Sequence, residues 1–161
     1  MNGHLKRALV RVALVVATPY IAADDTGSTA KTTVLVVGDS LSAAYGIRAE
    51  ESWVNLLRER LGTDYEVVNA SISGDTTGGG AARIGKTLAT HKPDIVIIEL
   101  GGNDGLRGLP IETIRDNLTA MAEAVTAVEA EPVLAGMLMP PNLGPRYTQA
   151  FQQVYEEVAE A

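Results

Sequence analysis

The 161-residue chain contains no cysteine, only two histidines, His4 and His91, and a single tryptophan and phenylalanine. Without sulfur nucleophiles or thiolates it can form no disulfide, no cysteine-ligated zinc site, no cysteine-protease-like centre and no lipid-modified N-terminal cysteine. Aromatic residues make up 4% of the chain and the formal net charge is −7. A stacking platform or basic surface for nucleic acid is therefore not expected. Long hydrophobic runs are also missing: the longest apolar stretch near the start, Val12–Ala17, falls well short of the ~18 residues that span a bilayer. No integral membrane segment is expected.

What is present is a 46% apolar composition with 16 glycines, the profile of one soluble domain with a core of its own. Lys6, Arg7 and Arg11 precede and interrupt the apolar stretch Ala8–Ala17, and the small pair Ala22-Ala23 follows. That layout is a secretory signal peptide over residues 1–23, with a polar spacer over 24–32 and the domain over 33–161. Export to the periplasm or medium is the expectation, and His91 is then the only histidine retained. A ragged, unstructured start is the alternative.

From Thr33 onward short β-rich runs alternate with amphipathic stretches. Thr33–Val37, Tyr65–Val68, Ile95–Ile98 and Pro132–Ala135 are nearly unbroken apolar segments, as strands covered on both faces require. Trp53–Leu61, Ala81–Thr90 and Pro110–Ala130 carry helical spacing, with Pro110 suited to a first helical position. A last helix is expected from the apolar face Tyr147, Ala150, Phe151, Val154, Tyr155 and Val158. Strand and helix in alternation imply an α/β three-layer sandwich around a parallel sheet with right-handed crossovers.

In such a sheet the ligand site lies beyond the carboxyl ends of the strands. Three loops there are rich in glycine and small polar residues. Gly38-Asp39-Ser40-Leu41-Ser42 presents a serine hydroxyl at a strand-to-helix turn, where a nucleophile would sit near helix-entry amides. Asn69–Thr76 contains Gly74, whose amide can approach a substrate oxygen closely. Glu99–Gly105 contains Asn103, whose side-chain NH₂ can donate to a developing oxyanion. Each string taken alone is also an ordinary turn sequence. Parallel topology brings them together, so that a Ser, a Gly amide and an Asn amide could converge on one carbonyl.

These three blocks, in this order, resemble the first three blocks of the SGNH (GDSL) hydrolases, closest to a bacterial periplasmic subgroup of thioesterases, arylesterases and lysophospholipases. The resemblance implies a flavodoxin-like fold and a metal-free, cofactor-free acyl-enzyme route on a small-molecule ester or thioester by a monomer. It also implies Ser40 as nucleophile, with its own amide, Gly74 and Asn103 as oxyanion donors. The family's fourth block, an Asp-x-x-His that supplies the base, does not occur in the sequence. His91 follows the second helix and should lie at the opposite edge of the sheet. Asp39, Asp75 and Asp104 are expected to fix their loops through backbone hydrogen bonds. The last helix reaches Ala161 with Glu156, Glu157 and Glu160 in its final turns and no capping residue. The expectation is a domain lacking its last strand and helix, and so of low activity; a genuine loss that leaves a non-catalytic acyl-binding protein is the alternative.

Gly80–Thr87 satisfies the phosphate-loop string, but no strand immediately precedes it. Asn69-Ala70-Ser71 and Asn117-Leu118-Thr119 match glycosylation acceptors inside the expected site and inside a helix. Met139–Tyr147 should also reach the carboxyl edge; the resemblance implies that it borders the acyl pocket, and a merely rigid Pro-rich connection to the last helix is the alternative.

Overall fold

The computed structural model describes residues 30–161. The expected signal peptide and most of the spacer lie outside the described residues. Four strands, β1 (Thr32–Gly38), β2 (Tyr65–Asn69), β3 (Ile95–Glu99) and β4 (Glu131–Leu134), form one parallel sheet in the order β2-β1-β3-β4. Five helices connect or follow them: α1 (Trp53–Leu61), α2 (Thr77–His91), α3 (Gly102–Leu106), α4 (Ile111–Thr126) and α5 (Pro145–Glu160). This is the flavodoxin-like succession, and the chain reverses its direction of travel across the sheet at β1 and β3.

Alternation along the strands decides which helix covers which face. Val34 and Val36 of β1 point with Val67 of β2 toward Val54 and Trp53 of α1. Leu35 and Val37, with Val96 and Ile98 of β3, point the other way, into a larger core closed by Ile84, Leu118, Met121, Phe151 and Val154 of α2, α4 and α5. Side chains at the centre of this core are fully buried. Expected strands and observed strands agree to within one or two residues.

The differences have local causes. α2 starts four residues earlier than expected because the Thr76 hydroxyl accepts the Gly79 N–H and caps the helix there. Pro110 stands just outside α4, with extended backbone, and the helix closes at Thr126 ahead of the left-handed Glu129. Residues 102–106 are helical where a loop is expected. β4 is not covered on both faces: Val133 is 40% exposed, since α1 lies over β1 and β2 and no described element covers that side of β4. The phosphate-loop string falls wholly inside α2, so its amides are spent on the helix and cannot cradle a phosphate. No helix among the described residues is long and apolar enough to cross a membrane.

Candidate active site

The register places Gly38 of β1 opposite Glu99 of β3, and Val36 opposite Asn69 of β2. Three loops therefore leave the sheet side by side at its carboxyl edge. In the first, Asp39 is buried and its Oδ1 accepts the Leu41 N–H at 2.9 Å, while the Ala43 N–H returns to the Asp39 carbonyl at 2.9 Å. This single helical turn carries Ser40. The helix expected after it does not form, because Ala44 and Gly46 both take positive φ.

The second loop is docked on the first strand by the Ala70 and Ile72 N–H groups, which donate to the Val36 and Gly38 carbonyls at 2.8 and 3.0 Å. Its crest is a turn closed by the Asp75 N–H on the Ile72 carbonyl, with Gly74 at φ +81°. Behind the crest, Arg83 of α2 pairs with Asp75 at 2.8 Å and donates to the Ala70 carbonyl at 2.7 Å. A loop gripped at both ends in this way holds Gly74 exposed at its crest.

The third loop turns at Gly101 and winds into α3, placing Asn103 in the first turn rather than in a left-handed turn. Asp104 anchors α3 to the start of α2 by accepting the Thr77 N–H at 2.9 Å and the Thr77 hydroxyl at 2.6 Å. The Asn103 side-chain amide donates to Asp39 Oδ2 at 3.0 Å and to the Asp75 carbonyl at 2.9 Å. All three loops are thus hydrogen-bonded to one another, with Asn103 at the join. Met137 and Met139, on the segment after β4, close over Gly102 and Gly105 of α3, so this connection does reach the carboxyl edge.

Ser40 is half-buried. Neither its hydroxyl, its own N–H nor the Gly74 N–H has a hydrogen-bond partner among the described residues. Unengaged N–H donors beside an unengaged hydroxyl are what an acyl-transfer site needs. The expected trio, Ser40, Gly74 and Asn103, is brought together. Asp39, Asp75 and Asp104 each accept at least one backbone N–H, as expected of loop-fixing residues. His91 ends α2, next to the start of β3, at the opposite edge of the sheet.

Other participants carry no local motif. Glu99 is buried beneath the Ser40 turn, and burial, helped by neighbouring Asp39, pushes its carboxyl above the ordinary value of 4.5 despite the hydrogen bond from Ser42. Tyr155 of α5 donates its hydroxyl to the Leu100 carbonyl at 2.9 Å, and burial together with Asp104, Glu99 and Asp39 raises its pKa strongly, so it stays a neutral donor. A charge closing an otherwise apolar strand was the available signal for Glu99; nothing local marks Tyr155 or Arg83.

Gly101 cannot be replaced without strain. Its φ is +121°, and a Cβ there would collide with the Tyr155 hydroxyl oxygen. Gly101→Ala is expected to lower unfolding free energy by at least about 1–3 kcal/mol, read from urea denaturation. A change below about 0.5 kcal/mol would show that the turn relaxes freely.

Comparison with known proteins agrees with the fold. The model of a family described as GDSL-like Lipase/Acylhydrolase matches residues 36–161. Esterase TesA of Pseudomonas aeruginosa is 53% identical over 137 residues, covering 83% of this chain and 68% of the relative. Thioesterase 1/protease 1/lysophospholipase L1 of Escherichia coli K12 is 44% identical over 127 residues, covering 79% of this chain and 61% of the relative. A crystal structure of the esterase EstA from Pseudoalteromonas sp., inhibited by monoethylphosphonate, is similar with a TM-score of 0.77 at 43% identity, covering 81% of this chain and 73% of that one.

Proposed function

Since the chain belongs to the GDSL-like lipase/acylhydrolase family, whose members hydrolyse ester bonds, we propose that Ser40 is its nucleophile toward a carboxylic ester or thioester. The observation that carries this reading is the join of the three loops around an unengaged Ser40 hydroxyl. Ser40 Oγ forms a bond to the acyl carbon, the alkoxide or thiolate leaves, and water later releases the acid. The Ser40 and Gly74 N–H groups take the carbonyl oxygen as it becomes negative. Asn103 exchanges one of its two present bonds for the same oxygen. Met137 and Met139, apolar and adjacent to α3, border the acyl chain. The route uses no metal and no cofactor, and the substrate is a small molecule met by a monomer.

The proton on Ser40 needs a base, and among the described residues no imidazole stands at the carboxyl edge. Turnover by these 161 residues is accordingly low. The same observation favours a second reading, a non-catalytic acyl-binding protein that keeps the oxyanion loops. The basic-then-apolar pattern of residues 1–23 supports export to the periplasm or medium.

A fluorophosphonate separates the readings, because its P–F bond breaks as serine oxygen bonds to phosphorus. Slow labelling is expected, mapped by mass spectrometry to Ser40 and absent in Ser40→Ala. Label on another residue, or equal label in the variant, would overturn the nucleophile assignment. An unlabelled Ser40 with retained binding of a long-chain acyl ligand would establish the second reading.

A further inference from the structure

A buried carboxyl lies under the nucleophile turn and takes no part in the chemistry proposed above. Glu99 closes β3 on the α1 side of the sheet. Its Oε2 accepts the Ser42 hydroxyl at 2.5 Å and lies 3.4 Å from the Asp39 N–H, while its Oε1 is buried without a partner among the described residues. Gly38 makes room for this contact: a Cβ there would lie 2.6 Å from Ser42 Oγ and 2.8 Å from Glu99 Oε2.

Ser42 is gripped from three directions. Its Oγ accepts the Trp53 indole N–H at 3.1 Å, its carbonyl accepts the Asn69 side-chain amide at 2.8 Å, and its hydroxyl reaches Glu99. An indole N–H can only donate. It therefore occupies a lone pair of Ser42 and leaves the hydroxyl proton to the carboxyl, which fixes the direction Trp53 to Ser42 to Glu99. An ionised Glu99 accepts that proton in a charge-assisted bond. A Glu99 protonated on Oε2 would donate to Ser42 instead, and the hydroxyl proton would lose its acceptor.

We propose that Glu99 is the positioning residue of the nucleophile turn: through Ser42 its carboxyl fixes the Asp39–Ser42 backbone that aims Ser40, and its ionised form tightens that hold. The catalytic meaning of this rests on Ser40 being the nucleophile; the hold itself does not. The groups that face Glu99 are Asp39 after β1, Ser42 and, from α1, Trp53, with Tyr155 of α5 acting from the far side of the sheet. Burial and the acidic neighbour Asp39 both favour the neutral carboxyl. The hold should then loosen at mildly acidic pH, above the range in which an ordinary glutamate titrates.

Trp53 is the only tryptophan in the sequence, so the network ends in a single indole N–H resonance. In ¹⁵N–¹H spectra of the full chain from about pH 4 to about pH 8, that resonance is expected to titrate with a midpoint above the ordinary carboxyl value. The titration should vanish in Glu99→Gln and in Ser42→Ala, and survive in Glu131→Gln, an exposed change on β4. Exchange of the Leu41 amide should quicken in Glu99→Ala and return toward the native rate in Glu99→Gln at neutral pH. A resonance that is flat in the native chain, or that titrates equally in Glu99→Gln, would overturn the proposal. If Glu99→Gln does not fold, Ser42→Ala, which leaves Glu99 in place, decides by the same criterion. Fluorophosphonate labelling of Ser40 is expected to slow about tenfold to a hundredfold in Glu99→Ala. Absence of any Ser40 labelling in the native chain would remove the nucleophile reading, and the indole resonance would still judge the role of Glu99.

Discussion

On p-nitrophenyl butyrate the 161-residue chain is expected to turn over about 10⁶-fold more slowly than a complete serine–histidine–aspartate esterase. The magnitude follows from what is present and what is not. Oxyanion donors and binding alone keep roughly 10³–10⁴ over water when the base of such a system is removed. The Ser40 and Gly74 N–H groups have no partner among the described residues and the Asn103 amide is bonded to Asp39 and the Asp75 carbonyl, so the donors proposed for the oxyanion are in place to supply this residual part. The nearby carboxyl groups cannot replace the base. Asp39, Asp75 and Asp104 are engaged in holding their loops, and Glu99 is bonded to Ser42 beneath the turn. His91 is at the wrong edge of the sheet. A longer polypeptide that continues from Ala161 through an Asp-x-x-His able to reach the carboxyl edge is expected to recover the rate. Ser40-dependent hydrolysis by the 161-residue chain at the rate of a complete enzyme would refute the assignment of a missing base.

The second large effect is on stability. Phe151→Ala is expected to lower unfolding free energy by about 3–5 kcal/mol, the range for removing a fully buried aromatic ring. Phe151 is completely buried on α5, stacked on Tyr147 at 6.5 Å and edge-on to Tyr155 at 5.5 Å between ring centroids. Its ring also reaches two of the glycines in the Asn103 loop: a Cβ on Gly105 would lie 2.9 Å from it, and one on Gly101 3.6 Å. The cavity would therefore open directly beneath α3. Urea denaturation should show the loss, and Phe151→Leu should restore part of it. A loss under about 1 kcal/mol would mean that α5 collapses into the gap, against the tight contacts seen here.

Strands and long helices were legible because each is specified by its own residues. An apolar run such as Val34–Val37 has one stable setting, a covered strand, and the spacing of Ile114, Leu118, Met121 and Val125 has one, a helix with a single buried face. α3 was not legible, because Gly-Asn-Asp-Gly is a turn composition with poor helical propensity. It is wound by distant partners: Asp104 bonded to Thr77, and Phe151 packed against its glycines. The same distinction divides the site. Ser40, Gly74 and Asn103 could be placed from strand order alone, since each follows a strand end. Glu99, Trp53 and Arg83 act through contacts that no neighbouring residue announces, such as the hydroxyl of Ser42 held by a carboxyl 57 positions away.

That separation has a consequence for how the molecule comes into being. The Ser40 turn is synthesised about 60 residues ahead of the groups that complete it: Asp39 waits for Glu99 across 60 positions and for Asn103 across 64. β1 must first close a long loop to receive β3, and non-local parallel pairing of this kind is slow. Until β3 docks, Ser40 is an ordinary hydroxyl on an unrestrained chain. The reactivity proposed for Ser40 therefore emerges late in folding, and a nascent or partly folded chain should be chemically silent even though its Gly-Asp-Ser string is already in place.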